Sequence, residues 1–243
     1  MKLLTKQQIT FFEEEGYLVI DNLLNESEVT YYSNLYDSFL DNRIDASKYR
    51  SDLSGSDDAA KENITQIMVP SKIVPEMLEK VLHIKSLRMA QELMGDDIAL
   101  DFDMLINKAP NTNTITPWHQ DAAYWINMPD KRAASCWVAI DHAYKENGCM
   151  WYTPKSHLSE ILQHEQTGNK GALKCEGSEE NSVCIELSPG SCVFHQGGTL
   201  YYSRGNSTND NRRAIITNFR PKAMISLERS KGVDHTGDRK VKQ

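Results

Sequence analysis

Apolar residues in the first hundred positions recur at helical spacing, whereas beyond Ile98 they gather in short runs separated by turn residues. Thr5 with Gln8 forms a capping-box pattern, and Gly16 is a natural stop, which predicts a first helix. Tyr17–Ile20 reads as a short strand. Asn25 with Glu28 opens a second helix, whose Val29, Tyr32, Tyr36, Phe39 and Leu40 share one face. Residues 45–60 are polar, with Ser and Asp crowded into 51–58, and read as a mobile loop. Residues 75–94 have a helical pattern with a break expected near His83 and an end at Gly95.

The later runs predict strands over 98–107, 116–124, 134–141, 149–153, 183–187, 191–203 and 213–220. Pro110, Asn147-Gly148 and Pro189-Gly190 punctuate them. A polar excursion at 165–182 interrupts the series. Beyond Glu228 the chain holds Arg229, Lys231, Arg239, Lys240 and Lys242 among few apolar residues, which predicts a poorly ordered tail. Many short strands imply a closed or double-sheet β architecture with helices packed outside.

Composition narrows the partners. The 243 residues carry a net charge of −7, which works against non-specific binding to nucleic acid or anionic membranes. No apolar run reaches transmembrane length, and the N-terminus turns polar too early for a secretory signal. Five cysteines without a C-x-x-C pair point to reduced thiols in a cytoplasmic compartment rather than a disulfide framework. No linker or repeat marks a boundary, so one domain over 1–243 is expected, with helices to about 97, a barrel over about 98–222 and a tail from about 228.

The chemistry concentrates in Trp118-His119-Gln120-Asp121. On a strand, His-x-Asp sets an imidazole and a carboxylate on one face. With one further ligand, such a pair holds a non-haem iron on one side and leaves open positions on the other. The motif alone is weak, and its context strengthens it. Phe12, Gly16-Tyr17-Leu18-Val19, Trp137-Val138-Ala139-Ile140-Asp141, Glu146-Asn147-Gly148-Cys149, Thr153-Pro154-Lys155-Ser156-His157 and Pro189-Gly190-Ser191 follow in order. The segment Ser203, Asn206 and Arg212 closes the set. In these residues the chain resembles the phytanoyl-CoA dioxygenase family of Fe(II)/2-oxoglutarate oxygenases.

The resemblance implies a mainly β fold with flanking helices, a double-stranded β-helix or jelly-roll barrel of the cupin-like kind. It implies Fe(II) and 2-oxoglutarate as cofactors, with O2 and a small organic molecule as the other reactants. It makes His119 and Asp121 metal ligands. Arg212 becomes the anchor for the distal carboxylate of 2-oxoglutarate, helped by the Ser203 hydroxyl, with Trp137 as a wall; a guanidinium grips a carboxylate with two parallel hydrogen bonds. Tyr124 and Trp125, just beyond the ligand strand, would line a substrate pocket, or pack as core.

Two departures stand out. Lys155 occupies a turn position where the family has glycine. More consequentially, the family's second ligand histidine lies eleven residues before the arginine, and here that position holds Tyr201. His195, six residues upstream, would be roughly 20 Å away along an extended strand and is judged too far to substitute. The remaining histidines, His83, His142, His157, His164 and His235, read as surface or capping residues. Tyr201 then has three readings: a phenolate ligand, a non-ligating neighbour of a two-ligand iron, or a plug that fills the metal cavity. The altered iron site, and hence an oxygenase acting on a C–H bond, is preferred to a family member that binds without redox turnover.

Overall fold

The computed structural model describes residues 2–54, 62–167 and 172–236. Thr5 accepts from the Gln8 amide while the Gln8 side chain accepts from the Thr5 amide, so α1 (Lys6–Glu15) starts where the capping box predicts. Gly16 ends it at φ 84°, a conformation open to glycine. Asn25 and Glu28 make the same reciprocal cap for α2 (Glu26–Leu40). Between them runs β1 (Tyr17–Ile20).

The next segment departs from expectation. Within the predicted mobile loop, β2 (Arg50–Asp52) pairs with β3 (Ile64–Met68). Arg50 explains the order: it is ion-paired to Glu62 and donates to the carbonyls of Phe39 and Leu40 at the end of α2. Residues 55–60 of that loop lie outside the described residues. After α3 (Pro70–Ile73) and a 3-10 turn, α4 (Val81–Met94) begins beyond Lys80, so the helical break precedes His83. His83 is buried, with Nε2 3.0 Å from Asp103 Oδ2, and is no surface residue.

The strands that follow are β4 (Ile98–Lys108), β5 (Thr116–His119), β6 (Ala134–Ala139) and β7 (Met150–Tyr152). The excursion at 165–182 contains the small ladder of β8 (Glu165–Gln166) and β9 (Leu173–Lys174). Then come β10 (Val183–Ile185), β11 (Cys192–Gln196), β12 (Tyr201–Ser203) and β13 (Arg212–Pro221), followed by α5 (Lys222–Ser230). A seven-stranded antiparallel sheet has the order β1-β11-β6-β13-β4-β3-β2, and a four-stranded sheet the order β10-β7-β12-β5. Together they form a double-stranded β-helix barrel of the cupin-like kind.

Period-two alternation decides what each face of the large sheet does. Cys136, Val138, Phe194 and Ile215 turn outward and pack with Phe12, Tyr32, Phe39, Leu82 and Met89 of the helices. Trp137, Ala139, Val193 and Ala214 turn inward and meet Met150, Tyr152 and Tyr201 of the small sheet. The helices thus brace the back of one sheet, leaving the space between sheets for chemistry. No helix among the described residues is long and apolar enough to cross a membrane.

Lys155 lies in a turn as expected and adopts φ 64°, the left-handed conformation open to glycine, at a cost of roughly 1–2 kcal/mol. The expected disorder after Glu228 does not hold as far as residue 236. Glu228 is buried beneath Arg220, and His235 folds back onto it, Nε2 to Oε2 2.7 Å. Arg239, Lys240 and Lys242 lie outside the described residues.

Candidate active site between the two sheets

His119 is the last residue of β5, and its ring is oriented by its own chain. Nδ1 lies 2.8 Å from the Pro117 carbonyl. A carbonyl only accepts, so Nδ1 carries the proton and Nε2 presents its lone pair to the cavity. That is the tautomer a metal-binding imidazole needs. Asp121 is not on the strand but opens a 3-10 turn (Asp121–Tyr124), and this turn, rather than strand alternation, brings its carboxylate back beside His119. His119 Nε2 and Asp121 Oδ1 are 3.8 Å apart. The loop between them is clamped by His164, whose Nε2 accepts from the Gln120 amide at 3.0 Å, a structural role for a residue read from sequence as surface.

Asp121 collects hydrogen bonds on both oxygens. Oδ1 accepts from the Tyr201 hydroxyl at 2.7 Å; Oδ2 accepts from Ser135 Oγ at 2.8 Å and lies 3.2 Å from His195 Nε2. Burial alone would raise its pKa, but the His195 hydrogen bond, the neighbouring imidazoles and the Tyr201 hydroxyl outweigh it and hold the carboxyl well below the usual range. Tyr201 stands directly across from His119 in the β12–β5 pair, its ring 4.3 Å from the imidazole. Burial, and then the Asp121 charge, push its phenol well above the ordinary value. The side chain is therefore a neutral donor in this arrangement.

His195 belongs to the site, contrary to the distance expected along an extended strand. The stretch 191–203 is not one strand: β11 ends at Gln196, the chain turns through Gly197-Gly198, and β12 begins at Tyr201 in the other sheet. The Gln196 amide and the Thr199 hydroxyl both donate to the Gly16 carbonyl, which pins this turn to the end of α1. His195 and Tyr201 consequently face one another across the cavity with ring centroids 4.6 Å apart. The Gly-Gly pair was the sequence signal for this crossing.

Arg212 on β13 is 1% exposed, and its Nε and Nη1 have no hydrogen-bond partner among the described residues. Its guanidinium lies over the Trp137 ring at 5.1 Å. Burial pushes its pKa down to about 10, with no carboxylate in contact to offset the loss of water. Ser203, Trp137, His119, Asp121, His195 and Tyr201 line the same cavity, as do Tyr124 and Trp125 nearer its outer part. The cavity measures about 100 Å³, smaller than the roughly 300–1,000 Å³ of drug-sized sites. Tyr124 is also tied to the structure, its hydroxyl accepting from the Leu173 amide. Asn206 faces away from this chemistry: it donates to the carbonyls of Lys108 and Asp210 and shapes the loop that leads to Arg212.

His235, Gln66, Phe102 and Met104 also reach the cavity, and sequence reasoning selected none of them. Asp101, Glu228 and His235 form the one trio among the described residues whose possible ligand atoms all lie within 4.8 Å of one another. Arg220 and Arg229 already pair with those carboxylates, so this cluster is a charge-balanced latch holding the chain end against the cavity wall.

The chain is similar to several known proteins. Human peroxisomal phytanoyl-CoA dioxygenase is 26% identical over 231 residues, spanning 89% of this chain and 68% of its own. The crystal structure of EvdO2 from Micromonospora carbonacea var. aurantiaca superposes with a TM-score of 0.77 at 26% identity, covering 90% of this chain and 93% of that one. The same protein has also been solved with 2-oxoglutarate. The carbocyclase SnoK of nogalamycin biosynthesis shares the fold, with a TM-score of 0.73 at 22% identity over 89% of this chain and 84% of its own. The family model described as phytanoyl-CoA dioxygenase matches residues 12–214, and the chain belongs to that family.

Proposed function

We propose that the chain is a non-haem Fe(II)- and 2-oxoglutarate-dependent oxygenase that oxidises a C–H bond of a small organic substrate, working as one domain. The carrying observation is Arg212: a fully buried guanidinium without an anionic partner among the described residues, facing a cavity that also holds His119 and Asp121. A buried, unpaired cation is costly in a finished fold, and a dicarboxylate co-substrate would supply the missing partner.

The residues fit the cofactors in part. His119 offers a lone pair in the required tautomer and Asp121 a carboxylate held ionised, both suited to iron. Bound iron with 2-oxoglutarate supplies the oxidising chemistry. The protein's share is to bind, orient and exclude water. Arg212 would anchor one end of the co-substrate, with Ser203 donating a hydroxyl hydrogen bond and Trp137 fixing the plane of the guanidinium. Tyr124 and Trp125 would meet the substrate in the outer part of the cavity.

A second reading draws on Tyr201. Its hydroxyl donates to Asp121 Oδ1 at 2.7 Å and so occupies a carboxylate oxygen that iron would use, as in a family member that binds without redox turnover. Adding Fe(II) and 2-oxoglutarate anaerobically separates the two. The oxygenase should develop a visible charge-transfer band that is lost in Arg212→Leu, whereas a metal-free binder should bind 2-oxoglutarate with no band in either protein.

A further inference from the structure

We propose that His195, not Tyr201, completes the protein's iron ligand set, so that the set draws His119 from the small sheet, His195 from the large one and Asp121 from the turn between β5 and β6. This rests on the oxygenase reading above. The first argument is place. His195 is 2% exposed, lines the same cavity as His119, and brings Nε2 to 3.2 Å from one Asp121 oxygen while His119 Nε2 lies 3.8 Å from the other. Two donors that share an ion at about 2.1 Å each stand at most about 4.2 Å apart; each imidazole meets that limit with one carboxylate oxygen, His119 with Oδ1 and His195 with Oδ2.

The second argument is hydrogen bonding. The ionised carboxylate only accepts, so Nε2 of His195 carries the proton and Nδ1 accepts from the Tyr152 hydroxyl at 3.2 Å. Donors without an ion commonly bond to one another through the proton that the ion would replace. For Nε2 to ligate, the ring's one proton must sit on Nδ1. Tyr152 then becomes the acceptor by rotating its hydroxyl, and His195 has the outer partner that a ligating imidazole requires. Tyr201 instead directs its hydroxyl to Asp121 Oδ1 at 2.7 Å, and has no second partner comparable to Tyr152 among the hydrogen bonds of the described residues.

Closing the set requires movement. The three donor atoms are not all within 4.8 Å of one another, and the Tyr201 ring stands against both imidazoles, at 4.3 and 4.6 Å. For both imidazoles to hold an ion, the Tyr201 hydroxyl would have to give up its bond to Oδ1.

Counting coordinated imidazoles tests this without turnover. The protein is loaded anaerobically with Fe(II) and nitric oxide, and the electron spin echo modulation of the nitrosyl complex is recorded for the parent, His195→Ala and Tyr201→Phe. Two imidazoles are expected in the parent and in Tyr201→Phe, and one in His195→Ala. Calorimetry should show Fe(II) affinity falling by more than about 100-fold in His195→Ala, beyond the 10- to 100-fold typical of an outer hydrogen-bond partner. One imidazole in the parent, or a phenolate-to-Fe(III) colour on oxidation that vanishes in Tyr201→Phe, overturns the proposal and leaves the oxygenase reading intact. A parent that binds no iron overturns both. If His195→Ala does not fold, the parent's imidazole count decides alone.

Discussion

Arg212 and Arg220 stand at opposite ends of β13, both 1% exposed, each with its guanidinium about 5 Å above a tryptophan ring, Trp137 and Trp125 respectively. Their surroundings differ completely. Arg220 is paired with Asp101 and Glu228, and Arg229 and His235 complete a network in which the charges balance. Arg212 has two unbonded nitrogens and a depressed pKa. Identical residue type, burial and aromatic support therefore say nothing about role; the presence of a counter-charge does. One arginine is finished by the fold, and the other has no counter-charge in contact among the described residues.

The largest effect should come from breaking the finished one. Arg220→Leu leaves Asp101 and Glu228 buried with less compensation, and removing one partner of a buried ion pair costs about 3–5 kcal/mol. Urea denaturation should show that loss as a lower midpoint. Arg212→Leu should do the reverse: no loss of stability, because an unpartnered buried charge is removed, but a drop in 2-oxoglutarate affinity equivalent to about 2–5 kcal/mol. If Arg212→Leu unfolded as readily as Arg220→Leu, the contrast between the two would be lost.

Acid should sharpen the comparison at the paired end. Burial opposes the Glu228 charge, but hydrogen bonds from His235 and Arg220 prevail and bring its pKa down from 4.5 to about 2. A group lowered on folding stabilises above its unfolded pKa and loses that contribution as pH falls through the folded value. The latch should therefore weaken between about pH 4.5 and 2, and Glu228→Gln should flatten the stability profile in that window. The smallest effect belongs to the open surface. Arg43 and Asp41 pair at 3.4 Å with side chains 61% and 65% exposed, and Asp41→Ala should change stability by less than about 0.5 kcal/mol. A larger change would mean that charge pairing in this protein follows other rules than burial.

What could be read in advance follows the range of the interactions involved. The caps of α1 and α2 and the alternation along β6 and β13 are local, and each was legible from neighbouring residues. The contrast of Arg212 with Arg213 was legible in outline, since adjacent strand residues face opposite ways; Arg213 indeed turns outward to Asp141 and Asp37. His195 was not recovered, because chain distance was taken for spatial distance across a turn that changes sheets. The order at β2 and around His235 escaped for a related reason. Arg50 and Glu228 recruit polar segments through several ion pairs and hydrogen bonds each, and composition reports polarity without reporting partners.

The crossing at Gly197-Gly198 bears on how such a chain can change over its history. Because it passes the backbone from one sheet to the other, side chains a few positions apart in sequence look into one cavity from opposing walls. A donor lost on one wall then has a stand-in already facing it, reached by rotating side chains, with no insertion and no new strand. If His195 ligates as proposed, change at a position such as Tyr201 need not end a metal centre's lineage, because the scaffold already carries a replacement donor on the facing wall.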